Sequence, residues 1–151
     1  MTKAKRPILA LDFGRARIGV AISDELHLLA HPLETIRADA QTTSRVAEIV
    51  REKKVDHVVV GIPRQMNGAI GLAANDALQF VEKLRAILPC PVVTWDERLS
   101  TVAAERALRD AGKKTHQTRG YVDQVAAQMI LQGYLDRRQN EAPAEESTRG
   151  V

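Results

Sequence analysis

The sequence predicts an α/β fold on a mixed five-stranded sheet, an antiparallel three-strand meander followed by parallel strands, with helices on both faces. Three observations carry that reading. Residues 8–36 hold three short β-type runs separated by turn residues, residues 55–62 and 91–95 are further apolar runs, and helical periodicity fills the stretches between and after them. Parallel neighbours need crossover connections of a dozen or more residues, which those helices supply.

Each element follows in order. Ile8 to Phe13 is an apolar run that turns at Gly14, and Ile18 to Ser23 returns as the second arm of a hairpin. The third run, Leu28 to Ile36, contains Pro32, which lacks an amide donor and marks an edge or irregular strand. Asp39 is the predicted N-cap of a helix to about Lys54, with Val46, Ile49 and Val50 on one face. Val55 to Ile62 is apolar enough to be covered on both faces. Pro63 to Gly71 is a loop turning at Asn67-Gly68. A second helix, Leu72 to Leu88, turns Ala73, Ala77, Phe80, Val81, Leu84 and Ile87 to one side before Pro89 and Pro91 stop it.

Val92 to Trp95 reads as another buried strand, running into Asp96-Glu97-Arg98. Ser100 or Thr101 caps a third helix to about Asp110, and residues 112–117 form a polar, basic loop. The last helix, Thr118 to Arg138, is predicted to bury Val122, Val125, Ala126, Met129 and Ile130. Residues 1–6 are then a basic tail, 7–138 one domain, and the polar, aperiodic 139–151 a disordered tail.

Composition narrows the function classes. The chain has 151 residues, 44% hydrophobic and 27% charged, enough for one sizeable core and against wholesale disorder. No apolar run approaches the roughly 20 residues of a membrane helix, and the basic start reads as no secretory leader, so a cytoplasmic protein is expected. Cys90 is alone, which excludes an intrachain disulfide and a thiolate metal cage. Aromatic residues make up only 3%, against a base-stacking platform. The net charge of +3, with Lys3, Lys5 and Arg6 at the start, is too weak to diagnose nucleic-acid binding by itself.

Three carboxylates stand out by position. Asp12 closes an otherwise apolar strand, where a buried charge must be paired or ligate a metal; the alternative is a turn-forming Asp before Gly14. Glu97 follows a strand's carboxyl end, where α/β sheets gather ligands, though taken alone it reads as a solvated loop residue paired with Arg98. Asp96 competes for the same role, and alternation sends the two side chains different ways. Asp123 sits early in the last helix, where the dipole favours an acid, yet its neighbours Val122, Val125 and Ala126 place it near the packed face.

Brought together by the sheet, three carboxylates would repel unless cations lay between them. Hard oxygen donors select Mg²⁺ or Mn²⁺, and two such ions about 4 Å apart suit an in-line phosphodiester displacement. Arg15 and Arg17 follow Asp12, Arg98 follows Glu97, and Lys113, Lys114 and Arg119 precede Asp123, as phosphate-contacting cations or ordinary solvated residues. Other candidates fade. Pro32 breaks the helix that a His27–His31 zinc pair would need, His57 reads as packing or edge-facing, and Ser100-Thr101 reads as a cap. Residues 61–68 lack the Lys-Ser/Thr ending of a phosphate-binding loop.

The segments LDFGRARIGVAISD (11–24), GIPRQMNG (61–68), WDERLSTVAAERAL (95–108) and VDQVAAQMILQGYLD (122–136), in this order and spacing, closely resemble the YqgF (RuvX) family of the RNase H-like superfamily. The resemblance covers residues 7–138. It implies an RNase H-like fold, a metal-dependent nuclease with Asp12, Glu97 and Asp123 as catalytic and metal-binding acids, and Mg²⁺ or Mn²⁺ as cofactor. It further implies action on the 5′ end of precursor 16S ribosomal RNA, with the ribosomal particle as a partner and no membrane, or resolution of branched DNA by a symmetric dimer. The chain departs from the family at 64–67, where Asn67 stands in place of the usual acid, and in the less basic loop 112–119. A non-catalytic nucleic-acid or RNA-polymerase partner is the reading from outside the enzymes. Asp-x-Gly between hairpin strands also resembles the phosphate turn of actin-like ATPases, which clasp nucleotide between two such domains where this chain has one.

Overall fold

The computed structural model describes residues 5–100 and 116–149. Strands β1 (Ile8–Asp12), β2 (Arg17–Ser23), β3 (Ala30–Arg37), β4 (His57–Ile62) and β5 (Val92–Asp96) form one sheet in the order β3-β2-β1-β4-β5. The first three pair antiparallel, whereas β1–β4 and β4–β5 are parallel, as the sequence predicts. Helices α1 (Thr42–Lys53) and α2 (Leu72–Ile87) make the crossovers, and α3 (His116–Arg149) follows a 3-10 turn at Glu97–Leu99.

Central position explains the apolar runs. Every residue of β1 and β4 is buried, because helices cover both faces. Leu9, Leu11, Val20, Val58 and Val60 face one core with Val46 and Ile49 of α1 and Phe80 and Leu84 of α2. Ile8, Ala10, Ala21 and Val59 face the other core, built on Ala127, Ile130, Leu131 and Leu135 of α3. Pro32 lies on edge strand β3, where the pairing with β2 slips between Val20 and Ala21. A bulge at an edge is where a residue without an amide donor fits.

The structure corrects several boundaries. Helix α1 begins at Thr42 behind Gln41, so Asp39 is not its cap; the Asp39 carboxylate accepts the Gln41 amide at 2.8 Å and shapes the turn before it. In α2, Ala74 is buried where Ala73 was expected, and Ile87 is half exposed because the helix ends beyond the sheet. In α3 the buried stripe is Ala126, Ala127, Ile130, Leu131 and Leu135, and Val122, Val125 and Met129 lie at its margins. The sheet opposes α3 with Ala10, Gly19 and Ala21, and the helix backbone comes closest at Gly19, through the Asp123 carbonyl.

The ends differ from expectation too. Lys5 donates its amide to Glu25 O at 3.0 Å, and Arg6 donates to Lys54 O and Val55 O, so these two residues are docked and not tail. At the other end the backbone stays helical through Arg149, past Arg138; Ala, Glu and Gln favour helix there without any apolar stripe. The predicted helix over 101–110, Lys113 and Lys114 lie outside the described residues. No helix among the described residues is long and apolar enough to cross a membrane.

Candidate functional site

Asp12 ends β1 in the middle of the sheet and is 5% exposed. Alternation puts it on the α3 face with Ile8 and Ala10. Both neighbouring strands carry glycine beside it. Gly19 is its cross-strand partner on β2, and on β4 Gly61 follows Val60, the partner of Leu11. The missing side chains leave a gap on either side of Asp12, filled on the Gly61 side by the Glu97 carboxylate and on the Gly19 side by the backbone of Asp123.

Glu97 comes from the 3-10 turn after β5 and is only 2% exposed. A Cβ on Gly61 would stand 2.8 Å from Glu97 Oε2 and 2.5 Å from Ile130 Cδ1. Glu97 is therefore no solvated partner of Arg98. That role falls to Asp96, whose carboxylate takes Arg98 Nη2 at 2.6 Å and the Arg98 amide at 2.9 Å. The Arg98 hydrogen bond holds the Asp96 carboxyl below its ordinary value. Arg98 Nη1 also reaches Met66 O at 3.4 Å, tying the loop after β4 to the turn after β5.

Asp123 approaches from the Gly19 side. A Cβ on Gly19 would lie 1.9 Å from the Asp123 carbonyl oxygen, so α3 rests directly on that glycine. The Asp123 carboxylate takes Arg17 Nε at 2.7 Å, with side chains 21% and 37% exposed respectively. Arg17 starts β2 and shares its face with Gly19. Arg15 turns away to Asp76 of α2, Nη2 to Oδ2 2.9 Å. Arg119 belongs to the start of α3.

A set of glutamines that sequence reasoning missed fixes α3 in place. Gln124 donates to Thr35 Oγ1 at 3.1 Å, Gln128 to Ala30 O at 2.9 Å, and Gln132 accepts the Ala30 amide at 2.9 Å and donates to Leu28 O at 2.9 Å. Their spacing of four was the available signal, since it aligns one polar stripe along a helix. Farther along, His57 of β4 is buried between Asp56, Nδ1 to Oδ2 2.7 Å, and the Tyr134 hydroxyl, 2.9 Å from Nε2. His57 thus does packing work, as expected.

The donor set is all oxygen, two of its carboxylates are buried, and the paired glycines cradle it, which suits a hard divalent cation. Among the described residues no group of three His, Cys, Asp or Glu side chains is gathered closely enough to hold an ion. The Asp123 carboxylate is engaged by Arg17.

Comparison with known proteins agrees with this architecture. The family model RuvX, described as Holliday junction resolvase, matches residues 6–137. A protein of Bacillus cereus bearing the name "Putative pre-16S rRNA nuclease" is 46% identical over 135 residues, 87% of this chain and 98% of its own. A Roseiflexus protein of the same name is 47% identical over 131 residues, covering 85% and 93%. Among solved structures, T. thermophilus RuvC in complex with a Holliday junction substrate is similar with a TM-score of 0.56 at 18% identity, covering 89% of this chain and 96% of that one. A second Thermus thermophilus RuvC structure gives 0.53 at 17%, with the same coverage. The shared architecture is the RNase H-like fold.

Proposed function

The chain belongs to the RuvX family, and from that membership we propose that it is a divalent-metal-dependent nuclease that hydrolyses phosphodiester bonds at the 5′ end of precursor 16S ribosomal RNA. The observation that supports the proposal is the setting of Asp12 between Gly19 and Gly61, with the Glu97 carboxylate against Gly61 and the Asp123 backbone against Gly19.

Asp12 at the end of β1 and Glu97 in the turn after β5 would hold a pair of Mg²⁺ or Mn²⁺ ions, and Asp123 would close the set from α3. When bound, such ions supply Lewis acidity for the attacking water and the leaving oxygen. The rest belongs to the chain. Ile130 packs beside Glu97 over Gly61 and shields that carboxylate from water. Arg98, fixed by Asp96, holds the neighbouring loop at the rim of the site. Arg15, Arg17, Arg98, Lys113, Lys114 and Arg119, the cations read from the sequence, would contact a phosphate backbone without reading bases. The 3% aromatic content fits that mode of grip. The substrate places the protein in the cytoplasm beside the assembling ribosomal particle.

The family description favours one second reading, resolution of four-way DNA, which requires two such sites facing one junction in a symmetric dimer. A cleavage assay separates the readings. Purified protein with Mn²⁺ or Mg²⁺ is expected to trim precursor ribosomal RNA, and Asp12→Asn and Asp123→Asn to lose that activity with RNA binding retained. Cutting only of four-way DNA, by a dimer, would support the second reading. Full RNA cleavage by both variants would remove these acids from the mechanism.

A further inference from the structure

Asp123 is held in a specific contact. Arg17 Nε lies 2.7 Å from Asp123 Oδ2. The neighbouring arginines are committed elsewhere, Arg15 to Asp76 and Arg98 to Asp96. The backbone of Asp123 has little freedom, because its carbonyl rests on Gly19 and the glutamines at 124, 128 and 132 fix the helix to β3. Movement at Asp123 is therefore confined to its side chain. Arg17 is half exposed, so its guanidinium can leave the pair for water or a phosphate with little desolvation to reverse.

We propose that Arg17 is the resident counter-cation of this site: it holds the Asp123 carboxylate in the metal-free protein and competes with a divalent ion for it. This rests on the reading of Asp12, Glu97 and Asp123 as metal ligands. Before metal loading, Arg17 offsets the repulsion among three acids. With a divalent ion bound, Asp123 would exchange one cation for another, and the Arg17 guanidinium would be free for water or a phosphate. Arg17 is thus a positioning residue that acts through Asp123.

The test is calorimetric titration of the full chain with Mn²⁺, without nucleic acid, for wild type, Arg17→Ala, Arg17→Lys and Asp12→Asn. Removing a charge-assisted, partly buried competitor is expected to tighten Mn²⁺ binding about tenfold in Arg17→Ala, with Arg17→Lys between it and wild type. Thermal melting gives an independent readout. Metal-free Arg17→Ala should melt below wild type, and saturating Mn²⁺ should raise its midpoint by more than it raises wild type's. A residue that merely braced Asp123 for coordination would give the opposite sign, weaker binding on removal. Mn²⁺ binding by wild type that Arg17→Ala leaves unchanged or weakens overturns the inference alone. Absence of Mn²⁺ binding in wild type and Arg17→Ala alike, or full binding in Asp12→Asn, overturns it together with the metal-site reading beneath it.

Discussion

The carboxylate of Glu97 occupies the space a side chain at Gly61 would need, its Oε2 lying 2.8 Å from where the Cβ would stand. The other near atoms are Cδ1 and Cγ1 of Ile130. Both side chains can swing. Gly61→Ala should therefore fold, losing no more than about 1–2 kcal/mol of stability, while pushing Glu97 out of the site. A near-wild-type urea midpoint with cleavage reduced at least about tenfold is the expected pair of results. Wild-type cleavage would show that Glu97 need not sit over Gly61.

Gly19 should behave in the opposite way. Its would-be Cβ meets backbone, the Asp123 carbonyl oxygen at 1.9 Å, so Gly19→Ala must lift α3 from the sheet. The core between α3 and the sheet then loosens. The expected loss is about 3 kcal/mol or more, read from the denaturation midpoint.

Gln132 makes two hydrogen bonds to the chain before and within β3. Gln132→Ala leaves the part-buried Ala30 amide without its acceptor, at a cost of about 1–3 kcal/mol. Equilibrium urea unfolding checks the value, and an unchanged midpoint would mean that the ladder is only decorative.

Acid stability should carry the mark of Asp96. Its carboxyl is held below the ordinary 3.8 by Arg98, so the folded form binds its proton less readily than the unfolded chain. The resulting stabilisation is present in full above the unfolded value and is lost as pH falls through the folded one. The stability gap between wild type and Asp96→Asn should stay constant from about pH 5 to 8 and narrow below about pH 4. A gap that widened on acidification would contradict the pairing.

Much of this was legible in sequence, and the misses have physical causes. β1 and β4 could be read because strands buried on both faces must be apolar throughout. Asp12 stood out for the same reason, as a charge at the end of such a strand. Glu97 stood out only by its place after a strand, and its burial did not, because that depends on a glycine on a different strand, far away in sequence. Adjacency suggested that Arg98 would pair with Glu97; the turn instead brought Arg98 back onto Asp96. The buried stripe of α3 was displaced because its position depends on where the sheet is thinnest, at Ala10, Gly19 and Ala21. The expectations for Lys113, Lys114 and the helix over 101–110 fall outside the described residues.

The docking of α3 has a consequence for the chain as it is made. The acids lie at 12, 97 and 123, and the last of them rides on the final element, which also covers one whole face of β1 and β2. Synthesis proceeds from the N-terminus, so a nascent chain exposes the first two acids well before the third. Asp123 takes its place against β2 only when the final helix settles. Until then the emerging polypeptide carries an open hydrophobic sheet, and with the proposed acids its hydrolytic competence would arrive together with the finished fold.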